Sequence, residues 1–520
     1  MDYFSRIKPI LNKLTDYNII DNLFVIRQYL LALEKGIGYY RLPHIENSNN
    51  VILMPNICDF LIANSLKYCT FNKGKYYLGN FKDRLRIVVE LTKLEEKINK
   101  DAIDTDIWTW LHSFCFNQTK LQNSTNIVYE TYRYYWIFKD EKLREVIENK
   151  INMKYKDFVI CAFWLYSKFT QQFAFSLNHL ISFPKNYQGT PFNAENIQKT
   201  ISIFCKTLSE HKDMAKLSTK YTDEELFNYN DSPHIIYPLF EYNNNIYCIS
   251  PRYLLNQLNS GIYYIANIPQ NNVSGAFGKS FEKYTGEVIK HYSPSSYFIS
   301  PEIPYGKDNN KTSDWIVSDS ENILFIECKA KRLMAKSRKQ WSFDMTSIDC
   351  VIDNNLINDE NYIKLIPDTL TKDIIILGIE IGKIYKVYND YRCNKITNLP
   401  YNENINFFPI MVTFEEWYAG CPSINDCLTR IAEAYLKKKD IDISIIQKNK
   451  YKIISIDTFE IDYQIMTKEG ISNFFKMEKS NILDDYKKNF HLDSYFFDKF
   501  SEELISPIGD IIAKNDKCPC

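Results

Sequence analysis

The chain lacks an excess of charge of either sign: 63 Lys and Arg stand against 64 Asp and Glu over 520 residues, for a formal net charge of −1. Whole-molecule electrostatics therefore give no general attraction for nucleic acid or acidic lipid, and an anionic ligand has to be met by a local basic patch. Also missing is any apolar run of the ~20 residues needed to cross a bilayer. The opening "MDYFSRIKPILNKL" has no apolar h-region and reads as an amphipathic helix. The 13 cysteines are spread singly, many within apolar runs such as "NSLKYCTF" and "SIFCKT", where a reduced thiol acts as a small hydrophobe. Together these absences predict a soluble, cytoplasmic protein without a disulfide framework or a membrane partner.

Several chemistries are excluded in the same way. The seven histidines show no pair at metal or relay spacing, and His44, His234 and His291, near turns or element ends, receive no catalytic role. No Gly-x-Ser-x-Gly nucleophile turn occurs. "VSGAFGKS" approaches a phosphate-binding loop, but Val273 stands where the first glycine belongs, and a β-branched residue resists that loop's backbone angles. No internal repeat is visible.

What is present is a large apolar fraction, 45%, with 15% aromatic residues, enough for two or three cored domains. Residues 1–183 show mostly helical spacing, as in "NLFVIRQYLLALEKG", "DRLRIVVELTKLEEKI" and "NIVYETYRYYWIFKDEKLREVIENKI", and predict a helical domain whose aromatics fill a core. Residues 184–270 read as a connecting α+β region with a helix from Ile197 to Glu210. Two β-rich runs about Asn243, Asn244 and Asn245 suggest a hairpin, since Asn tolerates left-handed turns.

Residues 271–440 change to short alternations of helix and strand. "GAFGKSFEKYTGEVIKHY" carries one apolar helical face, "SSYFISPEIPY" reads as a strand, and "DIIILGIEI" reads as a strand buried on both faces. "NFFPIMVTF" is a further strand and "INDCLTRIAEAYLKKK" a helix. Residues 441–520 form a C-terminal α+β extension with strands at "ISIIQ" and "YKIISIDTF" and a helix near "ISNFFKMEKSNILDDYKKNF".

The informative stretch is "TSDWIVSDSENILFIECKAKRL", which sets Asp314, Glu327 and Lys329 inside apolar runs. Its polar segment Asp319–Asn322 predicts an antiparallel hairpin in which Ser318 faces Ile323, Ile316 faces Phe325 and Asp314 lies across from Glu327. By strand alternation Asp314, Ile316, Phe325, Glu327 and Lys329 share one face, and Trp315, Val317, Leu324, Ile326 and Cys328 the other. Facing β-carbons lie roughly 5 Å apart, so two such carboxylates repel unless a cation sits between them. Mg²⁺ suits that position, since it takes one or two carboxylates and keeps sites for water and phosphate, and Lys329 projects toward the same ligand.

This arrangement resembles the PD-(D/E)xK nuclease superfamily, the restriction-endonuclease-like fold, over about residues 275–439. Ser313 stands where the motif has proline. The resemblance implies a mixed sheet flanked by helices, and a metal, Mg²⁺ or Mn²⁺, held by Asp314, Glu327 and the Cys328 carbonyl. It further implies that Lys329 assists the attacking water and that Glu282 supports the site from the preceding helix, where Glu287 is an alternative. It implies a metal-dependent nuclease acting on nucleic acid, DNA in preference to RNA, in restriction or phage defence. The N-terminal helical domain, outside the resemblance, is read as serving substrate choice, regulation or contact with a protein partner or a second copy. The rival expectation is a nucleic-acid-binding or assembly protein that keeps the fold without turnover. Downstream, Lys331, Arg332, Lys336, Arg338 and Lys339 form the local basic patch that the balanced composition requires, a phosphate-binding segment or simply a solvated face. The terminal "KNDKCPC" resembles the start of a SEC-C zinc motif, but Cys518 and Cys520 alone cannot complete a tetrahedral Zn²⁺ site; the reading there is a thiol-bearing tail or a truncated motif.

Overall fold

The computed structural model describes residues 15, 17–34, 39–40, 51–52, 55–71, 127–182, 191–217, 233–266, 268, 271–307, 310–333, 343–357, 359–367, 370–417 and 421–506. The chain is mixed α/β and divides into two compact units, whose described residues fall within 15–268, 271–273 and 495–506 for the first and 274–494 for the second. No described helix is long and apolar enough to cross a membrane.

In the first unit, helices α1 (Ile19–Glu34), α2 (Pro55–Tyr68), α3 (Ile127–Phe138) and α4 (Tyr155–Gln171) accompany a four-stranded sheet. Its strands are β1 (Ala174–Ser176), β2 (Cys205–Thr207), β3 (Leu239–Tyr242) and β4 (Asn245–Cys248), in the order β1-β4-β3-β2. The β3–β4 hairpin turns on Asn243 and Asn244, both at positive φ (49° and 58°), as the asparagine run predicts. The helix expected from Ile197 to Glu210 is interrupted: one helix ends at Phe204, β2 pairs in parallel with β3, and α5 (Leu208–Leu217) follows. Tyr17, Leu23, Ile26, Leu30, Phe60 and Leu66 join Phe240 and Tyr253 in one buried cluster. The chain returns to this unit at its far end, where Phe496 packs edge-on against Tyr129 and Glu503 accepts from Tyr132 and Lys139.

The second unit is built on a five-stranded mixed sheet. Helix α6 (Ser274–Tyr292) precedes β5 (Phe298–Pro301), β6 (Trp315–Ser318) and β7 (Asn322–Lys329). Helix α7 (Leu370–Arg392), β8 (Asn406–Thr413), α8 (Pro422–Lys437), β9 (Lys452–Ser455) and α9 (Ile456–Glu469) follow. The strand order is β9-β8-β7-β6-β5, with β5, β6 and β7 antiparallel and β7, β8 and β9 parallel. α6 and α9 cover one face: Phe277 and Phe281 meet Phe414, and Tyr284 donates to Glu460. α7 covers the other, where Phe325 and Phe407 pack with Tyr388.

Three expectations are corrected here. "DIIILGIEI" lies in α7, not in a strand; Ile374, Ile375, Leu377, Ile379 and Ile381 are all buried because the helix is wedged between the sheet and α8. Gly378 and Gly382 allow that wedge, since a β-carbon on either would lie 2.7 Å from Ile431 or Tyr435. "ISIIQ" forms a helical turn, Ser444–Lys448. Finally, β9 lies beyond residue 440 and completes the sheet, so the sheet runs on into the segment read as a separate extension.

Candidate active site

The β6–β7 hairpin has the register that the turn dictates: Ser318 pairs with Ile323, Ile316 with Phe325 and Trp315 with Ile326. The turn is locked by its own polar residues, with Asp319 Oδ1 accepting from the amides of Glu321 (2.8 Å) and Asn322 (2.7 Å). A one-residue slip would break these bonds and turn every side chain to the opposite face. One step beyond the last pair, the register sets Asp314 across from Glu327, and the Cys328 amide donates to Asp314 Oδ2 at 2.7 Å.

The two faces are held by different helices. Trp315 Nε1 donates to the main-chain oxygen of Glu282 at 2.9 Å, which ties α6 to β6 and brings Glu282 to the site. Gly286, one turn on, makes this approach possible, because a β-carbon there would fall 1.9 Å from the Trp315 ring. On the opposite face the Lys329 ammonium lies 2.9 Å from Glu327 Oε1 and 3.1 Å from Glu380 Oε2 of α7. Glu380 Oε1 in turn takes Lys383 at 3.0 Å.

Burial governs the electrostatics, and neighbouring charges modify it. Burial raises the Glu327 carboxyl to about 7, Asp314 and Glu380 add to the rise, and Lys329 opposes it. Burial likewise raises Asp314 to about 6, against the pull of the Cys328 N–H and Lys329 and with Glu282 and Glu302 pushing the same way as burial. Glu282 is raised by burial, then by Glu302 and Glu327. Burial disfavours the Lys329 charge, but Glu327 and Glu380 more than reverse that and hold it above the ordinary lysine range.

Among the described residues no group of three or more His, Cys, Asp or Glu side chains is arranged to hold a metal ion. The donor set at the hairpin is smaller and of one chemical kind: two carboxylates, each with an oxygen that no described residue contacts by hydrogen bond, Asp314 Oδ1 and Glu327 Oε2. The hydroxyl of Ser313, the residue before Asp314, is buried and has no hydrogen-bond partner among the described residues. Hard oxygen donors of this number suit Mg²⁺ or Mn²⁺, which ordinarily keep several waters.

The structure thus brings together Asp314, Glu327, Cys328 and Lys329, with Glu282 close enough to be felt by Asp314 and Glu327. The basic segment is different. Lys331 pairs with Asp373, and Arg332, its side chain 9% exposed, pairs through Nε with Glu415 Oε2 at 2.9 Å. Both charges are therefore already met by carboxylates. Lys336, Arg338, Lys339, Cys518 and Cys520 lie outside the described residues. Sequence reasoning missed Glu380, which sits within the run read as a strand, and Glu302, which pairs with Lys311 at 2.7 Å. Glu380 was within reach of a helical reading: Tyr385, Tyr388 and Tyr391 recur at three-residue spacing behind it.

Searches of protein-family models, curated proteins and solved structures give no match to the chain.

Proposed function

We propose that residues 274–494 carry a metal-dependent nuclease site that hydrolyses phosphodiester bonds, with DNA the favoured substrate, on a restriction-endonuclease-like core. The observation that carries this reading is the convergence of Asp314, Glu327 and Lys329 at one end of a sheet-borne hairpin, with the Asp314 carboxylate close enough to Glu327 to add to the rise that burial causes there. Such crowding is what a bound cation relieves.

In this reading Asp314, Glu327 and the Cys328 carbonyl hold Mg²⁺ or Mn²⁺, and Glu282 supports the site from α6. When bound, the ion supplies charge for the phosphate oxygens and a more acidic water. Lys329 orients the attacking water and offsets charge developing on the phosphate. The Cys328 N–H fixes the Asp314 carboxylate, so its free oxygen is aimed without a search through rotamers. A restriction or phage-defence setting in the cytoplasm rests on the family resemblance alone; service of the first unit in substrate choice or partner contact is read outside that resemblance.

A second reading, a nucleic-acid-binding or assembly protein that keeps the fold without turnover, is favoured by one observation. Lys329 is already bracketed by two acids, Glu327 and Glu380, which meet its charge. The discriminating experiment is a cleavage panel with Mg²⁺ or Mn²⁺ on single- and double-stranded DNA and RNA, run with wild type and Lys329→Ala. Cleavage that the variant loses supports the nuclease, and RNA-only cutting moves the substrate to RNA. No cleavage of any substrate, or equal cleavage by both proteins, overturns it.

A further inference from the structure

In the proposed site Lys329 has to be held in place, yet its strand neighbour Glu327 is also one of the two carboxylates assigned to the cation. An ammonium has three donors and no acceptor. Here it spends one on Glu327 Oε1 at 2.9 Å and one on Glu380 Oε2 at 3.1 Å. If Glu327 were the only anchor, a cation taken up by that carboxylate would compete with the ammonium for the same oxygens and free the lysine to turn away.

Glu380 is built for the second hold. Its side chain is 17% exposed, and its other oxygen is engaged by Lys383 at 3.0 Å, which fixes the carboxylate plane. The helix that carries it cannot slide easily: Gly378 and Gly382, two residues to either side in sequence and turned to α8, let Ile431 and Tyr435 approach to distances that a β-carbon would forbid. Burial works against the Glu380 charge, and Lys329 and Lys383 outweigh it, so the carboxyl pKa is lowered from its ordinary value. The result is a negative group on a packed helix, facing the ammonium from an element that bears neither Asp314 nor Glu327.

We propose that Glu380 is a positioning residue that holds the Lys329 ammonium in place independently of Glu327, leaving Glu327 available to the cation. This rests on the nuclease reading for its catalytic consequence but not for its geometry. Two measurements separate the two. In the first, the metal-free full-length protein is treated with an amine-acylating reagent, and modification of Lys329 is followed by mass spectrometry. Glu380→Gln is expected to raise the Lys329 rate several-fold while the rates at Lys311 and Lys395, which pair with Glu302 and Asp390 instead, change little in comparison. An unchanged Lys329 rate in a folded Glu380→Gln protein, judged by its melting midpoint, overturns the proposal whether or not any nucleic acid is cut.

In the second, cleavage by wild type, Glu380→Gln, Lys329→Ala and the double variant completes a mutant cycle. Glu380→Gln is expected to lower kcat by about ten- to hundredfold, as loss of placement does, with KM changed far less. In the Lys329→Ala background the same substitution is expected to have no further effect. Full additivity in the cycle overturns the proposal, since it would show Glu380 acting by a route that does not pass through Lys329. If no protein in the set cleaves, the nuclease reading fails while the acylation result still decides the role of Glu380.

Discussion

Asp314 accepts the main-chain N–H of Cys328 at 2.7 Å, so a side chain just before one strand of the hairpin is fixed by the backbone of the other. Asn at position 314 keeps an oxygen that can accept the same N–H, more weakly than a carboxylate, while the charge is lost. The folded-state pKa of Asp314 is raised to about 6 from an ordinary 3.8, so the folded chain binds that proton more tightly than the unfolded chain does. Its stabilising effect is present below about pH 4 and is lost as pH rises through 6. Asp314→Asn is therefore expected to be more stable than wild type by about 1–3 kcal/mol at pH 8, and near parity at pH 4. Melting midpoints without divalent cation check this, and a destabilised variant at pH 8 would contradict it.

The contact of Gly286 with Trp315 gives a second test. Gly286→Ala places a methyl inside the indole ring, so α6 or Trp315 has to move. Overpacking of this kind costs typically about 1–3 kcal/mol. Trp315→Phe keeps much of the apolar volume but removes the bond to the Glu282 carbonyl. Both substitutions are expected to lower the unfolding midpoint, and Gly286→Ala to lower it more.

Arg332 is expected to behave as a structural cation rather than as a phosphate contact. Glu415 meets its Nε and, through the other oxygen, the Leu333 amide at 2.9 Å. Arg332→Ala removes the guanidinium from that carboxylate, 15% exposed, and loss of one partner from a buried pair costs about 3–5 kcal/mol. The expected signature is a large drop in melting temperature with an unchanged salt slope of nucleic-acid binding. A stable variant with a shallower salt slope would restore Arg332 to the phosphate-binding set.

In the first unit, His211 is fully buried, its Nε2 lies 3.1 Å from the Leu239 carbonyl, and its Nδ1 has no hydrogen-bond partner among the described residues. Burial lowers its pKa from 6.5 to about 4. The unfolded chain then binds the proton that the folded one refuses, so stability is full above pH 6.5 and falls as pH drops toward 4, by up to about 3 kcal/mol. His211→Gln is expected to flatten this acid limb, as followed by unfolding monitored at several pH values.

The hairpin was legible because its register is local: four polar turn residues and a strict alternation set which side chains face which, and Ser318–Ile323 pairs as the count requires. The β3–β4 turn was legible for the same reason, two asparagines at positive φ. α7 was not. A helix buried on two sides is apolar all round, and over nine residues its pattern cannot be told from that of a buried strand. The partner of Lys329 was lost with it, since Glu380 reaches the lysine only when "DIIILGIEI" is wound as a helix. Neutralisation of Lys331 and Arg332 depends on Asp373 and Glu415, some forty and eighty residues away, and no local pattern announces a long-range ion pair.

The most direct test is calorimetric titration of the full-length protein with Mn²⁺ at pH 8, comparing wild type, Asp314→Asn and Glu327→Gln. One saturable site per chain in wild type, lost or weakened at least tenfold in both variants, is the expected result. No saturable binding by wild type, or equal binding by all three proteins, would contradict the assignment of Asp314 and Glu327 to a cation site.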